Sequence, residues 1–158
     1  MNKSNYVLFG GKNLSEIRAH DRNRSPEFIP PRDHVAEVLE TTADRFESGE
    51  LLWYAGDFEV TDDKGQKRHC AIGGLCMTSG EDWHRSSKPV VAAAAEAMRP
   101  HISRQVSDLL SKEGSSASDV VRFAAENLVI TFNDRLARDV SEVVEVMKLA
   151  AKDLRNQS

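Results

Sequence analysis

Lys67-Arg68-His69-Cys70-Ala71-Ile72-Gly73-Gly74-Leu75-Cys76 is the stretch on which the fold turns. Just before it, Asp62-Asp63-Lys64-Gly65 carries turn chemistry, with the glycine free to take positive φ. Leu51 to Thr61, holding Trp53, Tyr54, Phe58 and Val60, therefore reads as an outgoing strand, and Gln66 to His69 as its antiparallel return. An isolated hairpin is marginal in water, so this one must lie on helices or add a third strand, for which Tyr6 to Phe9 is the candidate. From Cys70 to Met77 the chain opens a short, buried helix. Gly73 and Gly74 lower its propensity by about 1 kcal/mol each relative to alanine, and close backbone approach is the reason to keep them.

Working outward, Val35, Val38, Leu39, Thr42 and Phe46 recur at the spacing of one helix face, with Pro30-Pro31 marking the start and Gly49 the stop. Pro89 to Lys112 reads as helix, with Pro89 in its first turn and Pro100 kinking or dividing it. Ala92 to Ala95 gives it a small-residue surface for tight packing. After Gly114-Ser115-Ser116, Ser118 or Asp119 caps a helix carrying Val120, Val121, Ala124 and Leu128. Leu128 to Phe132 either completes that helix or stands as a strand. A last helix starts at Asp139, with Glu142 making a capping-box-like start and Val140, Val143, Val144, Met147, Ala150, Ala151 and Leu154 as its buried stripe. The fold class is α+β: residues 32–158 form a predominantly helical single domain with a small antiparallel β-hairpin packed on the helices. Residues 1–31, broken by Pro26, Pro30 and Pro31, form a loosely attached N-terminal arm.

The chain has 158 residues, enough for one hydrophobic core without disulfide staples. Its net charge of −4, from 21 basic and 25 acidic side chains, offers no field to attract a polyanion, so nucleic acid is disfavoured as a partner. Two cysteines make no disulfide framework, and a reducing cytoplasm is expected. The longest apolar run, Val90 to Ala95, falls far short of the roughly 20 residues a spanning helix needs, so no membrane segment is expected. Gly10-Gly11-Lys12 lacks a second glycine at the right distance before the lysine and the following Ser or Thr of a phosphate loop, with Asn13 there instead.

Trp53 on a strand, the turn Asp62-x-x-Gly65, the segment Cys70-Ala71-x-Gly73-x-Leu75, the pair Asn133-Asp134 and the closing Glu142-Val143 with Ala150-Ala151 together resemble a family of small uncharacterised proteins of actinobacteria and their phages. The match covers roughly residues 33 to 155 and is poor from Ser79 to Ser118. The resemblance implies a shared core but brings no activity, substrate or catalytic residue. It also implies a setting in which small proteins act by binding a host protein.

Candidate chemistry centres on Cys70, where a helix N-terminus, His69 and Arg68 could stabilise a thiolate. A cysteine-dependent hydrolase or transferase would add His84 or His101 as base, with Asn133 or Asp134 orienting it. Against this stands the tendency of free cysteine to be a small core residue. His69, Cys70, Cys76 and His84 could be zinc ligands, but their spacing is wrong and adjacent His69 and Cys70 would point to opposite sides of a strand. No metal or cofactor is expected. Asn133-Asp134 could bind a substrate, but side-chain bonds to nearby backbone explain it as a turn or cap. Trp83, in the polar loop Glu81 to Arg85, is either a binding anchor or packed over the neighbouring helix. The favoured reading is a non-enzymatic, phage-encoded protein that binds a cytoplasmic host protein through Tyr6, Phe9 and Trp83. The alternative is an enzyme using Cys70, His84 and Asn133.

Overall fold

A computed structural model describes residues 28–157. The first helix among the described residues, α1 (Arg32–Ser48), buries Val35, Val38, Leu39, Thr42, Ala43 and Phe46 and stops at Gly49, whose φ of 85° places it in the left-handed region. Three short strands follow, β1 (Leu52–Trp53), β2 (Glu59–Thr61) and β3 (Lys67–His69), and then α2 (Ala71–Ser79). The long α3 (Pro89–Lys112) leads to α4 (Ala117–Val121), α5 (Ala125–Thr131), a π-helical turn over Phe132–Leu136, and α6 (Val140–Asn156).

The chain is α+β and mostly helical. Its sheet is not a lone antiparallel hairpin. β2 and β3 pair antiparallel around the Asp62–Gly65 turn, with Val60 opposite Arg68, but β1 adds to the other side of β3 in parallel, giving the order β1-β3-β2. Leu51 to Thr61 is not one strand because it breaks at Tyr54 to Phe58, where Gly56 has a φ of 135° and Asp57 Oδ1 accepts from the Phe58 amide at 2.7 Å. The third strand thus comes from Leu52-Trp53. The earlier candidate, Tyr6 to Phe9, lies outside the described residues, as does most of the N-terminal arm.

The core lies between helices. α1 and α6 run antiparallel and form the most extensive pair, with Val143, Val144, Met147, Ala150 and Ala151 of α6 buried in the core. α3 is the central helix, packed by α5, α6, α1, α2 and α4, and its small buried residues Ala94 and Ala95 sit among Val91, Met98, Ile102 and Val106. Pro100 neither divides nor ends α3. Pro100 and Glu96, whose carbonyl loses its helical donor, are both exposed, so water can take the missing bond. The expected helix around Val120 to Leu128 is two pieces. Ser116 rather than Ser118 or Asp119 caps α4, in a reciprocal capping box with Asp119, and Ala124 starts α5 anew. Leu128 to Phe132 continues as helix, not strand.

The paired glycines are explained by contact. A Cβ on Gly73 would sit 2.1 Å from the Phe58 carbonyl oxygen, and one on Gly74 would sit 2.6 Å from the Phe46 ring. α2 can therefore lie against both α1 and the start of β2 only because those positions lack side chains.

Candidate functional site

Of the residues singled out by their chemistry, Trp53, the Cys70-Ala71 start of α2 and Asn133-Asp134 meet where β1, β3, α2 and the π-helical turn come together, whereas His84 and His101 lie elsewhere. Asn133, with no exposed surface, is the hub. Its Oδ1 accepts from Trp53 Nε1 at 2.7 Å and from the Ala71 amide at 3.0 Å. Its Nδ2 donates to the Tyr54 carbonyl at 3.1 Å and to Asp134 Oδ1 at 2.9 Å. Donors meet oxygen and acceptors meet nitrogen, so the network fixes the orientation of the amide. Asp134 Oδ1 also accepts from the Gly56 amide at 2.9 Å.

The π turn makes this possible. Ala137 donates to the Phe132 carbonyl five residues back, which widens the helix just where Asn133 and Asp134 must both reach the Tyr54–Gly56 backbone. The Asn-Asp pair therefore sits inside a helical segment, tying it to a loop roughly 80 residues earlier in the chain.

Cys70 caps α2, and its Sγ accepts from the Gly73 amide at 3.4 Å. Burial is the main influence on this thiol and pushes its pKa up to about 11, the capping amides notwithstanding. Burial likewise pushes Cys76 up to about 12. Both thiols stay protonated at neutral pH and are poor nucleophiles there. His84 is exposed, with its Nδ1 3.0 Å from Asp82 Oδ1, while His101 pairs with Asp153 at 2.7 Å. Asn133 is brought beside Cys70 only through the Ala71 amide. Among the described residues, no group of three or more His, Cys, Asp or Glu side chains is placed to hold a metal ion.

His69 is 3% exposed and faces Glu59 across the β2–β3 pair, Nε2 to Oε2 at 3.2 Å. Its Nδ1 is buried without a hydrogen-bond partner. Trp83 stands edge-on to this ring at 6.3 Å and packs against the core, so its indole is half-buried. The loop that carries it is anchored by Glu81, whose two carboxylate oxygens accept from the Val90 and Val91 amides at 3.0 and 2.8 Å and cap α3. Tyr6 and Phe9 lie outside the described residues.

On the other face of the sheet, sequence reasoning passed over a built surface. Val60 and Arg68 are registered partners, and with Trp53, Tyr54 and Asp62 they line a cavity of about 510 Å³. Tyr54 is 38% exposed at its rim. Asp62 shapes the turn beneath by accepting from the Lys64 and Gln66 amides and from Arg68 Nε, each at 2.9 Å. These bonds, the Gln66 amide foremost, hold its carboxyl below the ordinary range. The signal for this surface lay in the alternation of the strand residues, but the break at Gly56 obscured which aromatic would face outward.

Fold and site together define a small, mostly helical α+β protein whose polar hub fixes an aromatic loop. The chain belongs to a family of unknown function, DUF6197, whose model matches residues 30–153. No curated protein and no solved structure matches it.

Proposed function

We propose that the chain is a phage-encoded accessory protein of the actinobacterial setting and acts by binding a host protein in the cytoplasm. The observation that carries this reading is the presentation of Tyr54. The Asn133 and Asp134 side chains bond the Tyr54 carbonyl and the Gly56 amide, so the backbone on both sides of Ala55 is held before any partner arrives. Holding a contact loop in place lowers the entropy lost on association. Tyrosine, tryptophan and arginine are the residues that dominate protein interfaces, and Tyr54, Trp53 and Arg68 line this hollow together with Val60 and the carboxylates of Asp62 and Asp63. Burial of Cys70 and its raised pKa weigh against the alternative, a hydrolase or transferase using that thiol.

The test places a photoreactive amino acid at Tyr54 in the full chain and crosslinks it in actinobacterial host cells, with the exposed Val121 as control position. A defined host protein should crosslink from Tyr54 and not from Val121, and its capture should be lost in Tyr54→Asp and Arg68→Glu. Equal crosslinking from both positions, or capture indifferent to those substitutions, would overturn the proposal.

A further inference from the structure

Away from the sheet, α1 and α6 leave a trough along their outer seam. One end, about 510 Å³, has Val140, Val144 and Leu149 as its apolar lining and Glu47, Lys148 and Lys152 on its walls. A second hollow of about 500 Å³ shares Lys148 and Lys152 and continues past Asp44 and Glu40 to Arg155, so the two are one trough. The charges are segregated by helix. Glu40, Asp44 and Glu47 form the α1 wall, while Lys148, Lys152 and Arg155 dominate the α6 wall, with Glu145 the one acidic exception in the lining. Arg155 pairs with Glu40 at 2.7 Å and Lys148 with Glu47 at 2.9 Å, so the two walls are level with each other along the seam.

We propose that this trough seats a second copy of the chain. A partner of one charge sign would be repelled by one of the two walls, whereas a surface that is itself acidic on one side and basic on the other satisfies both. This chain carries such a surface. Two-fold rotation about an axis running along the seam places each acidic wall on the other copy's basic wall and keeps the levels, so that the Glu47–Lys148 pair of one copy lies head to tail on that of the other, as a four-charge ring, and Asp44 meets Lys152 of the second copy. Rotation about an axis across the seam would set acid against acid, and is excluded. Leu149, the exposed apolar residue of the lining, then supplies the central contact and the walls the orientation, since exposed ion pairs contribute little each. Leu149, 39% exposed on one chain alone, becomes covered.

Light scattering after size exclusion, on the full chain, reads the result directly. At about 100 µM the mass should be twice the 17.6 kDa of one chain and should fall toward one chain at high salt. Leu149→Asp, at an exposed position, should weaken association by at least about tenfold. Asp44→Lys with Glu47→Lys leaves Glu40 as the one acid of an otherwise basic α1 wall, and Lys148→Glu with Lys152→Glu leaves Arg155 as the one base of an otherwise acidic α6 wall. Each double variant should be a single chain by itself, and an equimolar mixture should restore the two-chain mass. Circular dichroism confirms that each stays folded. A single-chain mass for the unaltered protein at that concentration would overturn the proposal, as would a dimer that survives Leu149→Asp and both charge reversals.

Discussion

Replacing Asn133 by alanine removes the oxygen shared by Trp53 Nε1 and the buried Ala71 amide, and strands the Tyr54 carbonyl. Leaving buried polar groups unpaired costs about 1–3 kcal/mol each, so Asn133→Ala should lower unfolding free energy by about 3–5 kcal/mol in urea titration. Asn133→Asp preserves the acceptor but loses both donors and sets a carboxylate beside Asp134, so it should also destabilise, and more so as pH rises through the carboxylate range. The thiols act at the opposite end of the pH scale. The ordinary value is 9.0, and burial lifts Cys70 to about 11 and Cys76 to about 12. Between those values the unfolded chain releases protons that the folded chain keeps. Stability is therefore undiminished below pH 9 and declines as pH rises through the folded-state values, with about 2–3 kcal/mol attached to Cys70 at roughly 1.4 kcal/mol per unit. Urea midpoints measured from neutral to strongly alkaline pH should show this fall, and Cys70→Ala with Cys76→Ala should flatten it. An unchanged slope in that double variant would remove the thiols from the account.

Gly73→Ala sets two effects of opposite sign against each other within α2. Alanine improves helix propensity by about 1 kcal/mol, but its Cβ would lie 2.1 Å from a backbone oxygen of Phe58, which cannot rotate away. Overpacking of this kind typically costs about 1–3 kcal/mol or more, so net destabilisation with loosened β2 pairing is expected, readable as faster amide exchange in Glu59–Thr61. α3 offers a second test at its start. Glu81→Ala frees the Val90 and Val91 amides and should cost about 0.5–2 kcal/mol, whereas Glu81→Gln should retain part of the cap. At this scale the chain was largely legible. The three-and-four spacing of α1 and α6, the Asp62–Gly65 turn and the bounds of α3 follow from period and punctuation, because those elements each bury one face. β1 was not legible, since two residues carry no periodicity and its parallel pairing depends on the turn of the chain at Gly56. The π turn was equally hidden. Asn133-Asp134 after an apolar run resembles punctuation, and only the distant Trp53, Tyr54 and Gly56 give the pair its role.

For the whole molecule, the family match starting at residue 30 coincides with the entry to α1, where the Val35 amide bonds the Pro31 carbonyl. A chain starting at Phe28 should therefore unfold cooperatively, with near-ultraviolet dichroism like that of the full protein. A molten product from that truncation would show that residues 1–27 complete the core. No helix among the described residues is long and apolar enough to cross a membrane. α1 and α6 are joined along their length, from Arg32 Nη1 on the Gln157 carbonyl to Lys148 on Glu47. During synthesis, Val35, Leu39, Ala43 and Phe46 of α1 leave the ribosome long before Val143, Met147 and Ala150 of α6 exist to cover them. At roughly 5–20 residues per second the delay is on the order of 5–20 s. For that interval α1 lacks its most extensive partner, and the face it shares with α6 closes only once that helix has cleared the exit tunnel.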